Sequence, residues 1–275
     1  MSTLVIVSRA ETDFGFLPSH LNVVCETPRS ASVEWTKTDW SSLKPLLEAN
    51  ACDAALFEVR PTLSDFKLVA MDMDATTIRN ETLDEMADMA GVGPAVKAVT
   101  ERAMRGELDY EASLRARVAT MKGFAATLYE DVIRKRLEVQ PQLSAWLTAL
   151  DAQNIRRILI SGGFQPVVDH FVNELGYDAG FANLMTIEDG RFTGELEGEL
   201  VDSFYKARRL EATAKALGID MAQTIAIGDG ANDIPMLRSA GIAVGYHPKP
   251  AVEPYADIVL RHTGYETLSL FFGPQ

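Results

Sequence analysis

Unbroken apolar runs recur along the chain, and each ends in an acid, a serine or a glycine. Leu68-Val69-Ala70-Met71 ends in Asp72, Arg157-Ile158-Leu159-Ile160 in Ser161-Gly162-Gly163, and Thr224-Ile225-Ala226-Ile227 in Gly228-Asp229-Gly230. Runs without polar alternation predict strands buried on both faces, as in a parallel sheet. Gly241 to Gly245 and Asp257 to Leu260 add two shorter runs, with helical patterns at Pro141 to Ala152 and Pro166 to Leu175. The repeat of strand, polar loop and helix predicts an open, doubly wound α/β sheet. Ligands in such sheets sit beyond the carboxyl ends of the strands. The polar residues that follow the three runs are therefore predicted to converge.

Residues 80 to about 135 break the alternation with helical patterns only. Thr82 and Glu85 have the spacing of a capping box, which predicts a helix opening at Thr82 with Leu83, Met86, Ala87 and Ala90 on one face. A second helix is predicted near Pro94 to Arg105, and a third after Asp109 with Leu114, Val118 and Met121 as its apolar stripe. This is the pattern of a helical cap inserted after the first strand. Asp189-Gly190, between Met185-Thr186-Ile187 and Arg191-Phe192-Thr193, predicts a β-hairpin. Residues 1–66 differ in character. They predict strands at Leu4 to Val7, Leu21 to Cys25 and Ala54 to Val59, a helix at Ser41 to Asn50, and a small accessory α/β domain ahead of a main domain at 67–275. A ligand-sensing role is the sharper alternative for this first domain.

Composition narrows the class. The chain has 275 residues, 47% hydrophobic and 24% charged, which fits a folded globular protein rather than a disordered one. With 26 basic and 39 acidic residues the net charge is −13, which disfavours nucleic acid as a partner. No stretch is long and apolar enough for a bilayer, and the start of the chain lacks the basic region of a secretory signal. The two cysteines, Cys25 and Cys52, make no metal-binding pair, and a bridge between them is not expected. These features predict a reduced, soluble, cytoplasmic protein. They leave its oligomeric state open, a homodimer included.

Three loops carry the candidate chemistry. Asp72-Met73-Asp74-Ala75-Thr76 sets two acids on one side of a strand end. Carboxylates at the end of a buried strand are costly unless a metal or ligand compensates them. Gly228-Asp229-Gly230-Ala231-Asn232-Asp233 adds two more acids after another buried strand. Four acids with no histidine make an oxygen-only donor set, which suits Mg²⁺ and phosphate chemistry. Ser161-Gly162-Gly163, close to a predicted helix start, offers a hydroxyl and backbone N–H groups to an anion.

In this order, Asp72-Met73-Asp74-Ala75-Thr76, Ser161, Lys206 and Gly228 to Asp233 resemble the signature of the haloacid dehalogenase superfamily of aspartate-nucleophile phosphatases. Asn80 to Glu85, Thr100 to Asp109, Ser113 to Val118, Ser161 to Phe164 and Phe181-Ala182-Asn183 are similar to the phosphoserine phosphatases within it. The resemblance spans roughly residues 67–265 and implies a Rossmann-like sheet with an inserted cap. It implies Mg²⁺ held by Asp72, the Asp74 main-chain carbonyl and Asp229. It implies Asp72 as nucleophile and Asp74 as general acid and base, hydrolysing O-phospho-L-serine through an aspartyl-phosphate at the last step of serine biosynthesis. Ser161, Gly162 and Lys206 would hold the phosphoryl group. Asn232 and Asp233 would orient the metal waters, the phosphate or Lys206, while Thr76 braces the turn. Glu81 would meet the substrate ammonium and Arg117 its carboxylate, with Met104 and Tyr110 lining the cap side. Helical spacing supports Arg117 independently, since it shares the face of Leu114 and Met121. Ala75, where serine is usual, and Tyr110, where phenylalanine is usual, depart from the pattern.

Two other readings compete. One is a related phosphatase or phosphotransferase acting on another small phosphoester. The other is a phospho-acceptor signalling domain, which needs neither an acid two residues after its nucleophile nor a cap; Asp74 and residues 80–135 argue against it. The complete acid set argues against a catalytically dead binding module.

Overall fold

The computed structural model describes residues 2–35 and 40–274. Along the chain the elements begin with β1 (Ser2–Ser8), β2 (Val23–Thr27), β3 (Ser30–Trp35), α1 (Trp40–Ala49), β4 (Cys52–Phe57) and β5 (Leu68–Met71). Four helices come next: α2 (Thr82–Met89), α3 (Gly93–Met104), α4 (Tyr110–Ala119) and α5 (Leu128–Lys135). Then come α6 (Leu143–Ala152), β6 (Arg156–Phe164), α7 (Gln165–Leu175), β7 (Ala179–Glu188), β8 (Arg191–Glu197) and α8 (Ser203–Leu217). The chain ends with β9 (Thr224–Gly228), α9 (Ile234–Ser239), β10 (Ile242–Tyr246), β11 (Ile258–Leu260) and α10 (Tyr265–Leu268). The chain divides into two compact units, Met1–Val69 with Pro141–Arg156 and Glu211–Gln275, and Ala70–Gln140 with Arg157–Leu210.

In the first unit, four antiparallel strands pair in the order β2-β3-β1-β4, with Leu4 opposite Val33 and Leu56. The buried face of this sheet packs with Phe14, Leu17, Leu43 and Leu47. The expected set of three strands omits β3, whose Ser30-Ala31-Ser32 start is too small and polar to signal a strand. The last of the three also runs Cys52–Phe57 rather than to Val59, which lies outside it and is 85% exposed. Both cysteines are free, Cys25 exposed and Cys52 buried. The same unit holds the parallel strands β9, β10 and β11, paired from Ile225↔Ile242 and Val244↔Ile258, with β5 next to β9 in the strand order.

Two polar ties fasten residues 1–66 to the C-terminal segment. Buried Asp53 accepts from the backbone N–H groups of Arg261, His262 and Thr263 and from the Thr263 hydroxyl, at 2.7–3.1 Å. The Arg60 guanidinium donates to the carbonyls of Leu270, Phe271 and Phe272 at 2.7–3.0 Å, and pairs with Glu26 at 2.6 Å.

In the second unit the strand order continues from β5 through β6 and β7 to β8, with β6–β7 parallel and β7–β8 antiparallel. The hairpin turn falls at Asp189-Gly190, both with positive φ (48° and 73°). The expected insertion is present as α2 to α5. It leaves and rejoins the strand region at one place, where Ile78 bridges Val139 and the Gln140 N–H donates to the Thr77 carbonyl at 2.9 Å. Leu83, Met86, Ala87, Leu114, Val118 and Met121 are buried, as the helical periodicity required, whereas Ala90, just past the end of α2, is only half-buried.

The start of α2 corrects the sequence reading. Glu81, not Thr82, occupies the N-cap and makes no side-chain cap. The Thr82 hydroxyl donates instead to Asp74 Oδ1 at 2.5 Å, and the Glu85 carboxylate accepts from Asn80. A carboxylate offers a hydroxyl a stronger, charge-assisted bond than a helix-end N–H does.

Candidate active site

The residues of the DxDxT motif lie where the chain leaves β5. Three N–H groups, from Thr76, Thr77 and Ile78, converge on the Met73 carbonyl at 2.8–3.2 Å and turn the chain back. Ala75, at the bend, takes a left-handed conformation (φ 55°). Thr76 is buried inside this turn. The Thr77 hydroxyl donates to the Asp72 carbonyl at 2.7 Å, so the threonine after the motif braces the strand end.

Asp72 is buried, and its Oδ1 receives the Met73 N–H at 2.7 Å. Lys206 Nζ lies 2.7 Å from the same oxygen. The lysine is 1% exposed, in the first turns of α8, whose start is held by Asp202: its Oδ1 accepts from the Tyr205 N–H at 2.6 Å, and its carbonyl from the Lys206 N–H. A lone lysine is ordinarily solvated; this one is buried against Asp72.

Asp74 is half-buried. Burial raises its pKa to about 7; the Glu81 charge raises it too, while bonds from Thr82 and the charge of Lys206 pull it down. A carboxyl that titrates near neutrality can both give and take a proton. Glu81 is exposed at the start of the cap, where its charge bears on Asp74.

Ser161 is buried near the end of β6, which runs straight through Gly162 and Gly163 into α7. Its Oγ accepts from the Gly163 N–H at 2.8 Å. A Cβ placed on Gly163 would lie 3.0 Å from that Oγ and 3.5 Å from Asp74 Oδ2, so glycine here lets the two side chains approach. The Gly162 carbonyl accepts from Asn183 at 2.8 Å.

On the cap, Arg117 is half-buried on α4, and its Nε is buried without a hydrogen-bond partner. Buried donors are normally hydrogen-bonded, so this one is open to an incoming acceptor. The Tyr110 side chain is 37% exposed, but its hydroxyl end donates to the Val201 carbonyl at 3.0 Å, and desolvation there holds its pKa above the ordinary value against the cations Lys206 and Arg117. Met104 ends α3 at 83% exposure.

The first unit carries the other acidic loop, from Gly228 to Asp233 after β9. Asp233 is fully buried and accepts from the Gly230 N–H at 3.1 Å, and Asn232 is half-buried. A Cβ on Gly228 would collide with the Asp233 side chain. Asp229 is buried and pairs with Lys249 Nζ at 2.9 Å, while the Lys249 N–H donates to the Asp229 carbonyl at 2.8 Å. Sequence reading did not single out Lys249 or Thr77, because neither stands in a charged or glycine-rich pattern of its own; it gave Thr82 only a capping role and Asn183 only a place in the Phe181-Ala182-Asn183 match.

One unit thus sets Asp72 and Asp74 against Lys206, and the other carries Asp229, paired with Lys249, and the buried Asp233. The donors are all oxygen, and the negative charge exceeds the positive. That chemistry fits a hard divalent cation.

The profile of the haloacid dehalogenase-like hydrolases matches residues 69–238, more than half of the chain, and the chain belongs to that family. Among its relatives, a phosphoserine phosphatase of Haemophilus influenzae is 43% identical over 209 residues, 76% of this chain and 66% of that protein. One from a Polaromonas species is 42% identical over 211 residues, 75% of this chain and 89% of that protein. A haloacid dehalogenase family hydrolase from Salmonella enterica serovar Typhi superposes with a TM-score of 0.86 at 26% identity, covering 99% of this chain and 98% of that one. A phospho-aspartyl intermediate analogue of phosphoserine phosphatase superposes with a TM-score of 0.70 at 36% identity, covering 76% of this chain and 99% of that one. No helix among the described residues is long and apolar enough to cross a membrane.

Proposed function

We propose that this chain is a Mg²⁺-dependent phosphoserine phosphatase that hydrolyses O-phospho-L-serine to L-serine and phosphate. The observation that carries this reading is the buried, unpartnered Arg117 Nε on the same unit as the Lys206–Asp72 pair. A half-buried guanidinium with an open donor suits a carboxylate on the substrate beside its phosphate. Relatives that are phosphoserine phosphatases point the same way.

Asp72, the Asp74 main-chain carbonyl and Asp229 would hold Mg²⁺, with Asn232 and Asp233 orienting the metal waters, the phosphate or Lys206. When bound, the ion supplies positive charge that offsets the repulsion between the attacking carboxylate and the phosphate. Asp72 forms a bond to phosphorus as the bond to the serine oxygen breaks, and Asp74 gives that oxygen its proton. A water then attacks the aspartyl-phosphate and yields its proton to Asp74, which restores both acids. Lys206, Ser161 and the Gly162 N–H hold the phosphoryl oxygens, while Thr76 keeps the turn in shape. Glu81 faces the substrate ammonium and Arg117 its carboxylate, with Met104 and Tyr110 on the cap side. Residues 1–66 are an accessory domain, and 67–275 are the catalytic domain carrying its cap at about 80–135.

A phosphate-release screen over phosphorylated small molecules, with and without Mg²⁺, tests this reading. Phosphoserine should be turned over fastest, and chelation should abolish release. Rapid turnover of a sugar phosphate with indifference to phosphoserine would overturn the substrate.

A further inference from the structure

We infer that Tyr110 is a positioning residue that couples recognition of the substrate on α4 to the grip on the phosphoryl group, acting through Val201. The inference rests on the phosphoserine reading above. Tyr110 opens α4, and Arg117 lies on the same helix. The Tyr110 hydroxyl leaves the cap and ends on the Val201 carbonyl at 3.0 Å.

Val201 sits at a junction. Its N–H donates to Asn183 Oδ1 at 2.9 Å, and Asn183 Nδ2 donates to the Gly162 carbonyl at 2.8 Å. The next residue, Asp202, holds the start of α8 through the Tyr205 N–H at 2.6 Å and the Lys206 N–H at 3.2 Å. Lys206 then reaches Asp72 at 2.7 Å. One hydroxyl therefore bonds to the loop from which both phosphate-side groups are set, Gly162 through Asn183 and Lys206 through Asp202. The same hydroxyl closes the space over Gly162, where a Cβ would come within 2.7 Å of it. Val201 and Asn183 are both buried, so water does not readily replace a lost partner.

The chemistry follows from the order of these contacts. A substrate whose carboxylate is bound by Arg117 draws on α4, and α4 carries Tyr110. Its bond to Val201 then fixes the phosphate side for the transition state, which is binding energy used for assembly of the site. Phenylalanine at 110 keeps the ring and removes the only atom that makes this link.

The test is a double-mutant cycle on the full chain with saturating Mg²⁺: wild type, Tyr110→Phe, Arg117→Ala and the double variant, each assayed on phosphoserine. Tyr110→Phe should lower kcat about fivefold, the worth of one neutral hydrogen bond, with KM within about twofold of wild type. In the Arg117→Ala background the same change should alter kcat/KM by less than about twofold, because the coupling it transmits is already gone. A full fivefold loss in that background, or a change confined to KM, would overturn the inference. A wild-type enzyme that does not turn over phosphoserine would instead remove the substrate reading on which it stands.

Discussion

The hydroxyl of Thr82, the first residue of α2, donates to Oδ1 of Asp74 at 2.5 Å. The cap therefore begins on the acid proposed to move the proton, and the helix gives up a side-chain cap for it. Bonds from Thr82 favour the charged carboxylate, whereas burial and the Glu81 charge favour the neutral acid. The balance leaves Asp74 with a pKa of about 7.

Thr82→Val keeps the shape of the side chain and removes that donor. The Asp74 pKa should rise, by about 0.5–1 unit for one hydrogen bond. Glu81→Gln removes a negative charge and should move it the other way. Profiles of kcat against pH for the three proteins check both signs. A shift of the two variants in the same direction would show that the profile does not report Asp74.

The Asp72–Lys206 pair, both buried, predicts two different failures. Asp72→Asn keeps the volume but cannot form an acyl phosphate, so kcat should fall by about 10⁴-fold or more with the fold intact. Lys206→Met leaves a buried carboxylate without its cation, which costs about 3–5 kcal/mol of stability. It should lower kcat by about 10²–10³-fold as well. Urea unfolding and steady-state kinetics on both variants separate the two. Lys206→Met with wild-type stability would mean that another group neutralises Asp72.

Much of this architecture is legible in local pattern. The runs at 68–71, 157–160 and 224–227 became buried strands, and the helical spacing of 82–121 became the cap. These signals are strong because burial on both faces forbids polar residues throughout a segment. The pattern reports which face is buried, but not which partner a polar residue finds. Thr82 fits a capping box by spacing and binds Asp74 instead. Asp53 finds its donors 208–210 residues further along the chain, a distance no window of sequence can span. Lys249 is equally opaque, since nothing beside it in sequence marks it as the partner of Asp229. Only the ordered set of motifs made Lys206 stand out.

Metal binding should be visible as stability. Mg²⁺ at about 100 times its dissociation constant adds about 2.7 kcal/mol to the folded state. For a chain of this size that is a rise of roughly 5–10 °C in melting temperature. Asp229→Asn removes one anionic donor and leaves Lys249 facing an amide, so the rise should shrink to about 2 °C or less. Thermal melts with and without Mg²⁺ measure it. An undiminished rise in Asp229→Asn would remove that residue from the metal set.

Far from these acids, Asp53 gathers three backbone N–H groups and the Thr263 hydroxyl on its two oxygens. Asp53→Asn replaces one acceptor oxygen with a donor that faces other donors. The cost of a broken buried network of this kind is about 2–4 kcal/mol. That is a fall of roughly 5–15 °C in melting temperature. The exposed Lys44–Glu48 pair, at 3.8 Å, is the control: Glu48→Gln should change stability by no more than about 0.5 kcal/mol. Asp53 has no place in the proposed chemistry, so kcat and KM at a temperature well below the melt should stay within about twofold of wild type. A melting temperature for Asp53→Asn equal to that of Glu48→Gln would show that residues 1–66 are fastened to the C-terminal segment by something other than this carboxylate.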